Sequence, residues 1–160
     1  MKFLVVLAAM VAYVAADCTD MKRLKVKEQW HRVYGTGQRR LDAGRVLWRA
    51  MFSLAPKSVD LFDRVHGHDI YSPEFSAHSI RVVGALEMCI DLLDHPHELE
   101  KALEHLHAQH IERHIAPSFV TDFKKVLLVL IPAALGRCYD EDAWSSCLDS
   151  ILDGVFGARG

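Results

Sequence analysis

Apolar residues return at every third or fourth position along most of the chain, the spacing of helices that bury one face. The first such stretch spans 20–35, with Leu24, Val26, Trp30 and Val33 as expected core and Lys22, Arg23 and Lys25 outside. Gly35 and Gly37 break it. A second helix is predicted over 41–55, where Val46, Leu47, Ala50, Met51 and Leu54 make a continuous apolar side. Pro56 opens a short third helix, 56–65, and 65–72 reads as loop, with Gly67 supplying freedom to turn. The longest helix, 73–93, has Ser72 as its N-cap, Pro73 in the first helical position and Glu74 in the first turn. The segment 94–99 leads into the next helix, with Pro96 early in it and a stripe of Leu99, Leu103, Leu106 and His110. Pro117 starts a helix that buries Phe119, Phe123, Val126, Leu127, Leu130 and Ile131, and Pro132 is expected to bend or loosen it. Asp140 caps the last helix, in which Trp144, Leu148, Ile151, Leu152 and Val155 keep the period until Gly154 and Gly157 end it. No repeat, low-complexity linker or hairpin signal interrupts this series. One all-α domain is expected.

One stretch departs from the pattern. Lys2 is followed by the unbroken apolar run 3–16, which ends in small residues before Asp17, the layout of a secretory signal peptide cleaved after Ala16. An uncleaved anchor is the alternative, but the run is shorter than the roughly 20 residues a spanning helix wants. The mature domain is then 17–160, a length suited to one domain. Its charge is nearly balanced: 19 basic against 21 acidic residues give −2 for the whole chain, and −3 once Lys2 leaves with the leader. That balance, with no basic stripe, argues against nucleic acid. After the leader no stretch is long enough to cross a bilayer, because 127–135 is short and broken by Pro132.

Secretion favours disulfides, and Cys18, Cys89, Cys138 and Cys147 all lie in the mature chain. Four cysteines allow three full pairings, which sequence alone does not separate. None has CxxC spacing, so zinc and c-type haem attachment are unsupported.

The candidate chemistry lies in histidines. His110 ends an apolar stripe, whereas His105, His107 and His114 read as ordinary solvated or hydrogen-bonded residues. On the long helix His78 is followed at i+4 by Val82, so the two share a face. The short third helix carries Phe62. An apolar-walled space with one histidine from each of two helices and a phenylalanine at its edge suits an iron porphyrin, one imidazole ligating and the other side open to a small gas.

In this order the residues resemble a globin: a proline-started third helix with Phe62 six residues on, His78-x-x-x-Val82, and Leu106-x-x-x-His110 before Pro117. The resemblance runs from about Leu24 to Val155. More narrowly, LKVKEQW (24–30), LFDRVHG (61–67), IYSPEFSAHSIRV (70–82), HLHAQHIERHI (105–115) and GRCYDEDAW (136–144) are similar to chains of the giant extracellular haemoglobins of annelid worms, the erythrocruorins and tubeworm haemoglobins. The resemblance implies seven to eight helices around a pocket for haem b, with His110 as proximal iron ligand and His78 as distal partner of O2. It further implies that Phe62 and Val82 line the pocket, Trp48 roofs the distal side, and Arg81 reaches toward a haem propionate at the pocket edge. It implies an internal bridge from Cys18 to Cys147, closing a loop of about 130 residues, worth about 4–5 kcal/mol in the chain-entropy model. It implies, too, a secreted chain that assembles with other globin chains and non-globin linker chains.

Cys138 falls between two helices, where the alternatives are a disulfide to a neighbouring chain and a buried free thiol. Cys89 lies eleven residues beyond His78 on the same helix face, roughly 16 Å away. In haemoglobins of sulfide-dwelling annelids a cysteine at this offset is associated with hydrogen sulfide uptake, so the resemblance implies that secondary role; the alternative is an ordinary core thiol. A haem peroxidase-like globin and a haem-free secreted helical carrier are the other function classes. Against the first, no second carboxylate or arginine is evident beside His78; the second has no need for the His78, His110 and Phe62 geometry.

Overall fold

The computed structural model describes residues 17–157; the expected signal peptide, 1–16, lies outside them. Six α-helices follow one another: α1 (Asp20–Tyr34), α2 (Gln38–Leu54), α3 (Pro73–Asp91), α4 (Pro96–Ile111), α5 (Pro117–Leu135) and α6 (Glu141–Phe156). Two 3-10 segments, Pro56–Val65 and Gly136–Cys138, bring the described helical segments to eight, within the seven to eight expected. Among the described residues no helix is long and apolar enough to cross a membrane.

The starts are set by local chemistry. The Phe75 amide donates to Ser72 Oγ at 3.1 Å, and the Ala143 amide to Asp140 Oδ1 at 3.0 Å, each satisfying a free donor of a first turn. Pro73, Pro96 and Pro117 stand at helix starts, where no amide hydrogen is needed. Between α1 and α2, Gly35 and Gly37 hold φ values of 62° and 55°, the left-handed turn that lets α2 begin at Gln38, earlier than the apolar pattern indicates. α5 continues through Pro132 to Leu135.

The core is where α1, α2, α3, α5 and α6 meet. Trp144 is fully buried, and its indole N–H donates to Gln29 Oε1 at 2.6 Å. The Gln29 amide in turn donates to the Cys138 carbonyl, so a buried glutamine joins α1, α6 and the segment before it with its polar atoms satisfied. Cys18 and Cys147 form a disulfide that ties the chain before α1 to α6 across 129 positions.

Three expectations are corrected by packing. Leu24, expected in the core, is 54% exposed, because the buried stripe of α1 is Val26, Gln29, Trp30 and Tyr34 and Leu24 points away from it. Val46 and Leu54 are likewise exposed, since α2 turns Gly44, Leu47, Trp48 and Met51 inward. Gly154 does not end α6 but lies within it; a Cβ there would sit 2.6 Å from Leu103 Cδ1, so glycine lets α4 and α6 touch, and Gly157 ends the helix.

The disulfide closes a long loop, so Cys147→Ser should destabilise the chain by about 2–5 kcal/mol. Urea unfolding with and without reductant measures this, and reduction should add little to the loss in the variant.

Candidate functional site

The candidate site has two sides: α2, the 3-10 segment Pro56–Val65 and α3 carry Trp48, Phe62 and His78, and α4 and the end of α6 carry His110 and Phe156. On the first side Trp48 is the centre. Its ring lies 4.7 Å from Phe62, 5.5 Å from Phe75, 5.6 Å from Phe52 and 5.9 Å from His78, centroid to centroid. Phe62 lies 5.3 Å from His78. The wall is thus aromatic and tightly interlocked, each ring offset or edge-on to its neighbour.

Phe62 reaches this place through a break in local regularity. It has φ −113° and ψ 15° inside the 3-10 segment, and its carbonyl accepts the Gly67 amide at 3.0 Å. A Cβ on Gly67 would meet the Phe62 Cβ at 2.6 Å. The turn itself is made by His66, at φ 58°, so Gly67 supplies space rather than the conformational freedom expected of it.

His78 carries the least ordinary environment in the chain. Its Nε2 is buried with no hydrogen-bond partner among the described residues. Burial, then the charges of Arg81 and Arg113 and the electrostatic influence of His110, lower its pKa from 6.5 to about 4. It is therefore neutral at physiological pH, with one buried nitrogen left without a partner among the described residues. Val82, one turn on, is half-buried against the core. Arg81 is exposed at the rim.

His110 faces from α4. Its Nδ1 is 2.7 Å from the Leu106 carbonyl, which can only accept, so Nδ1 carries the hydrogen and Nε2 has a free lone pair. Burial lowers its pKa, partly offset by the bond to Leu106. The Phe156 ring meets it edge-on, centroids 5.1 Å apart and planes at 74°.

Of the site residues read from the sequence, the structure brings the rings of Trp48, Phe62 and His78 together; His110 and Arg81 act on the His78 pKa, and Val82 packs against the core. The pattern missed Phe52 and Phe75, although each stands within one helical turn of Trp48 or His78. It missed Arg113 and Phe156 because they come from other turns of the fold. Arg113 acts on His78 only through its charge, since its exposed side chain donates to the Gln109 carbonyl at 3.0 Å. Outside the pocket, Cys89 is 1% exposed and unpaired, its thiol pushed up to about 11 by burial, and Cys138 is exposed and unpaired.

An all-α fold with an uncharged, buried histidine in an aromatic cluster and a second histidine with a free ring nitrogen suits a haem protein. Residues 45–155 match the globin family model. The chain is 44% identical to extracellular globin-2 of Lumbricus terrestris over 141 residues, covering 88% of this chain and 97% of that one. It is 42% identical to the extracellular monomeric globin of Tubifex tubifex, covering 87% and 99%, and 40% identical to extracellular globin-1 of Lumbricus terrestris, covering 87% and 98%. The chain belongs to the globin family, and its cofactor is haem. The residues fit that group: a buried nitrogen on His78 has no partner without it, and His110 keeps its Nε2 uncommitted.

The pKa of His78 has a consequence in the haem-free chain. Unfolded, this histidine takes its proton near pH 6.5; folded, only near pH 4. Between those values the unfolded state binds more protons, so stability rises with pH and is lost as pH falls from 6.5 toward 4. An NMR titration should place the His78 midpoint near 4, and His78→Leu should flatten that part of the stability profile.

Proposed function

We propose that this chain is a secreted oxygen carrier in which His110 holds the haem iron and His78 faces the oxygen site. The observation that carries the reading is the pairing of two neutral imidazoles, one with its Nε2 freed by a bond to Leu106, the other with a buried Nε2 lacking any partner. When bound, haem supplies a ferrous iron that takes an imidazole on one side and O2 reversibly on the other. His110 then anchors the cofactor, its Nδ1–H held by the Leu106 carbonyl so that the ring stays in the ligating tautomer. His78 donates its Nε2–H into the pocket, where low dielectric makes such a bond worth about 1–2 kcal/mol. Trp48, Phe62, Phe75 and Val82 keep water out, and Arg81 stands where a propionate would accept it.

The relatives are named extracellular globins, which supports export, with residues 1–16 as the cleaved leader and 17–160 as the globin domain. Assembly with other globin chains and linker chains belongs to the same reading. Its foothold is the exposed, unpaired Cys138, suited to a disulfide with a neighbour. A relative named monomeric shows that such globins also stand alone, so non-reducing electrophoresis decides: a multichain band that disappears in Cys138→Ser supports the bridge.

Sulfide uptake at Cys89 has one supporting observation, that the thiol is free. Its burial and its pKa of about 11 keep it protonated and enclosed. Joining its sulfur to that of sulfide would also release two electrons to an acceptor. Core packing is the role this environment favours. Alkylation of the folded, unreduced protein should spare Cys89 and label Cys138; labelling of Cys89 together with sulfide uptake lost in Cys89→Ala would reverse that conclusion.

The central test is spectroscopic. The purified protein should show a strong Soret band that shifts reversibly between deoxy and oxy forms. His110→Gly should lose haem and regain it with added imidazole. His78→Leu should keep haem and bind oxygen about tenfold more weakly. Normal haem ligation in His110→Gly would overturn the assignment.

A further inference from the structure

The proximal helix is held along its length by three successive residues of α6. Leu103, His107 and His110 stand at i, i+4 and i+7 on α4, and they meet Gly154, Val155 and Phe156 in that order. Gly154 leaves the space that the Leu103 side chain fills. His107 Nδ1 is 2.9 Å from the Val155 carbonyl, and since a carbonyl only accepts, His107 is the donor. Phe156 places its ring at 74° to that of His110.

The middle contact has a physical reason. Val155 is the penultimate residue of α6, so its carbonyl is one of the last four, which have no partner within the helix. A histidine N–H at that end satisfies the oxygen and complements the negative end of the helix dipole. The backbone that His107 ties down is the backbone that presents Phe156. The bond from His110 to Leu106 fixes which nitrogen is free, but a single hydrogen bond leaves the ring able to rock about it; the Phe156 edge supplies the second constraint.

We infer that His107 is a positioning residue for the proximal histidine, capping the end of α6 so that Phe156 fixes the plane of the His110 ring. This rests on the reading of His110 as the iron ligand. It gives a task to a histidine whose sequence context indicates none.

The test has two arms. In the haem-free chain, NMR should find a ring-current shift on the His110 ring protons caused by Phe156. His107→Ala should lose that shift. His107→Asn, whose amide donates from nearly the position of Nδ1, should retain it, and Phe156→Leu should lose it with His107 in place. In the haem-loaded ferrous protein, the iron–histidine stretching band should move and broaden in His107→Ala and return in His107→Asn. A His107→Ala protein that merely melts earlier, with ring shift and band unchanged, would overturn the inference and leave a simple helix cap. Should His107→Ala fail to fold, Phe156→Leu decides alone: an unchanged His110 environment there overturns the proposal. If the band persisted in His110→Gly, the ligand assignment would fail instead, and the haem-free arm would still report whether His107 orients the ring.

Discussion

The pocket depends on keeping two imidazoles neutral and leaving one nitrogen of each uncommitted inside an apolar wall. Burial is the largest influence on both, and it acts against the charged form. At His110 the hydrogen bond to Leu106 pulls the other way, yet burial wins, so the ring stays a base with its hydrogen on Nδ1 and its Nε2 lone pair free. At His78 nothing opposes burial, and neighbouring cations add to it. An unpartnered buried nitrogen ordinarily costs about 1–3 kcal/mol. In the core, Trp144, Gln29 and the Cys138 carbonyl satisfy one another, whereas Trp30 Nε1 and Tyr34 Oη share with His78 Nε2 the lack of a partner among the described residues.

Three close approaches bring the walls to the right separation, and each uses a glycine. Gly44 lets α2 lie against Ser79, the neighbour of His78. Gly67 lets the loop fold back on Phe62, and Gly154 seats Leu103 of the helix that carries His110. A methyl group on Gly67 would collide with Phe62 Cβ and the backbone beside it, whereas at Gly44 and Gly154 the Ser79 hydroxyl or the Leu103 side chain would have to move aside. Since packed interiors transmit such displacements rather than absorb them, these contacts belong to the pocket even though none of the glycines lines it.

Helix starts were legible because their chemistry is local: Ser72 and Asp140 cap, and Pro73, Pro96 and Pro117 stand where an amide hydrogen is not needed. The cluster of Trp48, Phe62 and His78 was legible because the order of these residues along the chain is distinctive, and their rings meet in the fold. What failed was the choice of face or role where tertiary contact decides it. Leu24 and Val46 have the right residue type and fall outside the buried stripe. Gly154 looks like a stop signal until the opposing Leu103 is known, and Gly67 looks like a turn residue until Phe62 is seen against it. Arg113 and Phe156 carry no sign in their own segments of acting on a histidine.

The cysteines show the same dependence on place rather than residue type. In an oxidising compartment, a thiol's fate follows from access and from a partner within reach. Cys18 and Cys147 are both buried, and the fold has already joined them. Cys89 has neither access nor a partner: helix α3 seals it in the core, where it serves as a small apolar side chain. Cys138 has access without an internal partner, in the short segment between α5 and α6 beside Arg32. An exposed thiol on a secreted protein is reactive toward whatever sulfur approaches it, a property that a chain acting alone gains nothing from. The corner that holds Cys138 is also fixed from within, because the buried Gln29 amide grips its carbonyl. A rigid backbone under an outward-facing sulfur limits the directions from which a partner can bond, which is what a specific link between chains requires and an adventitious thiol does not.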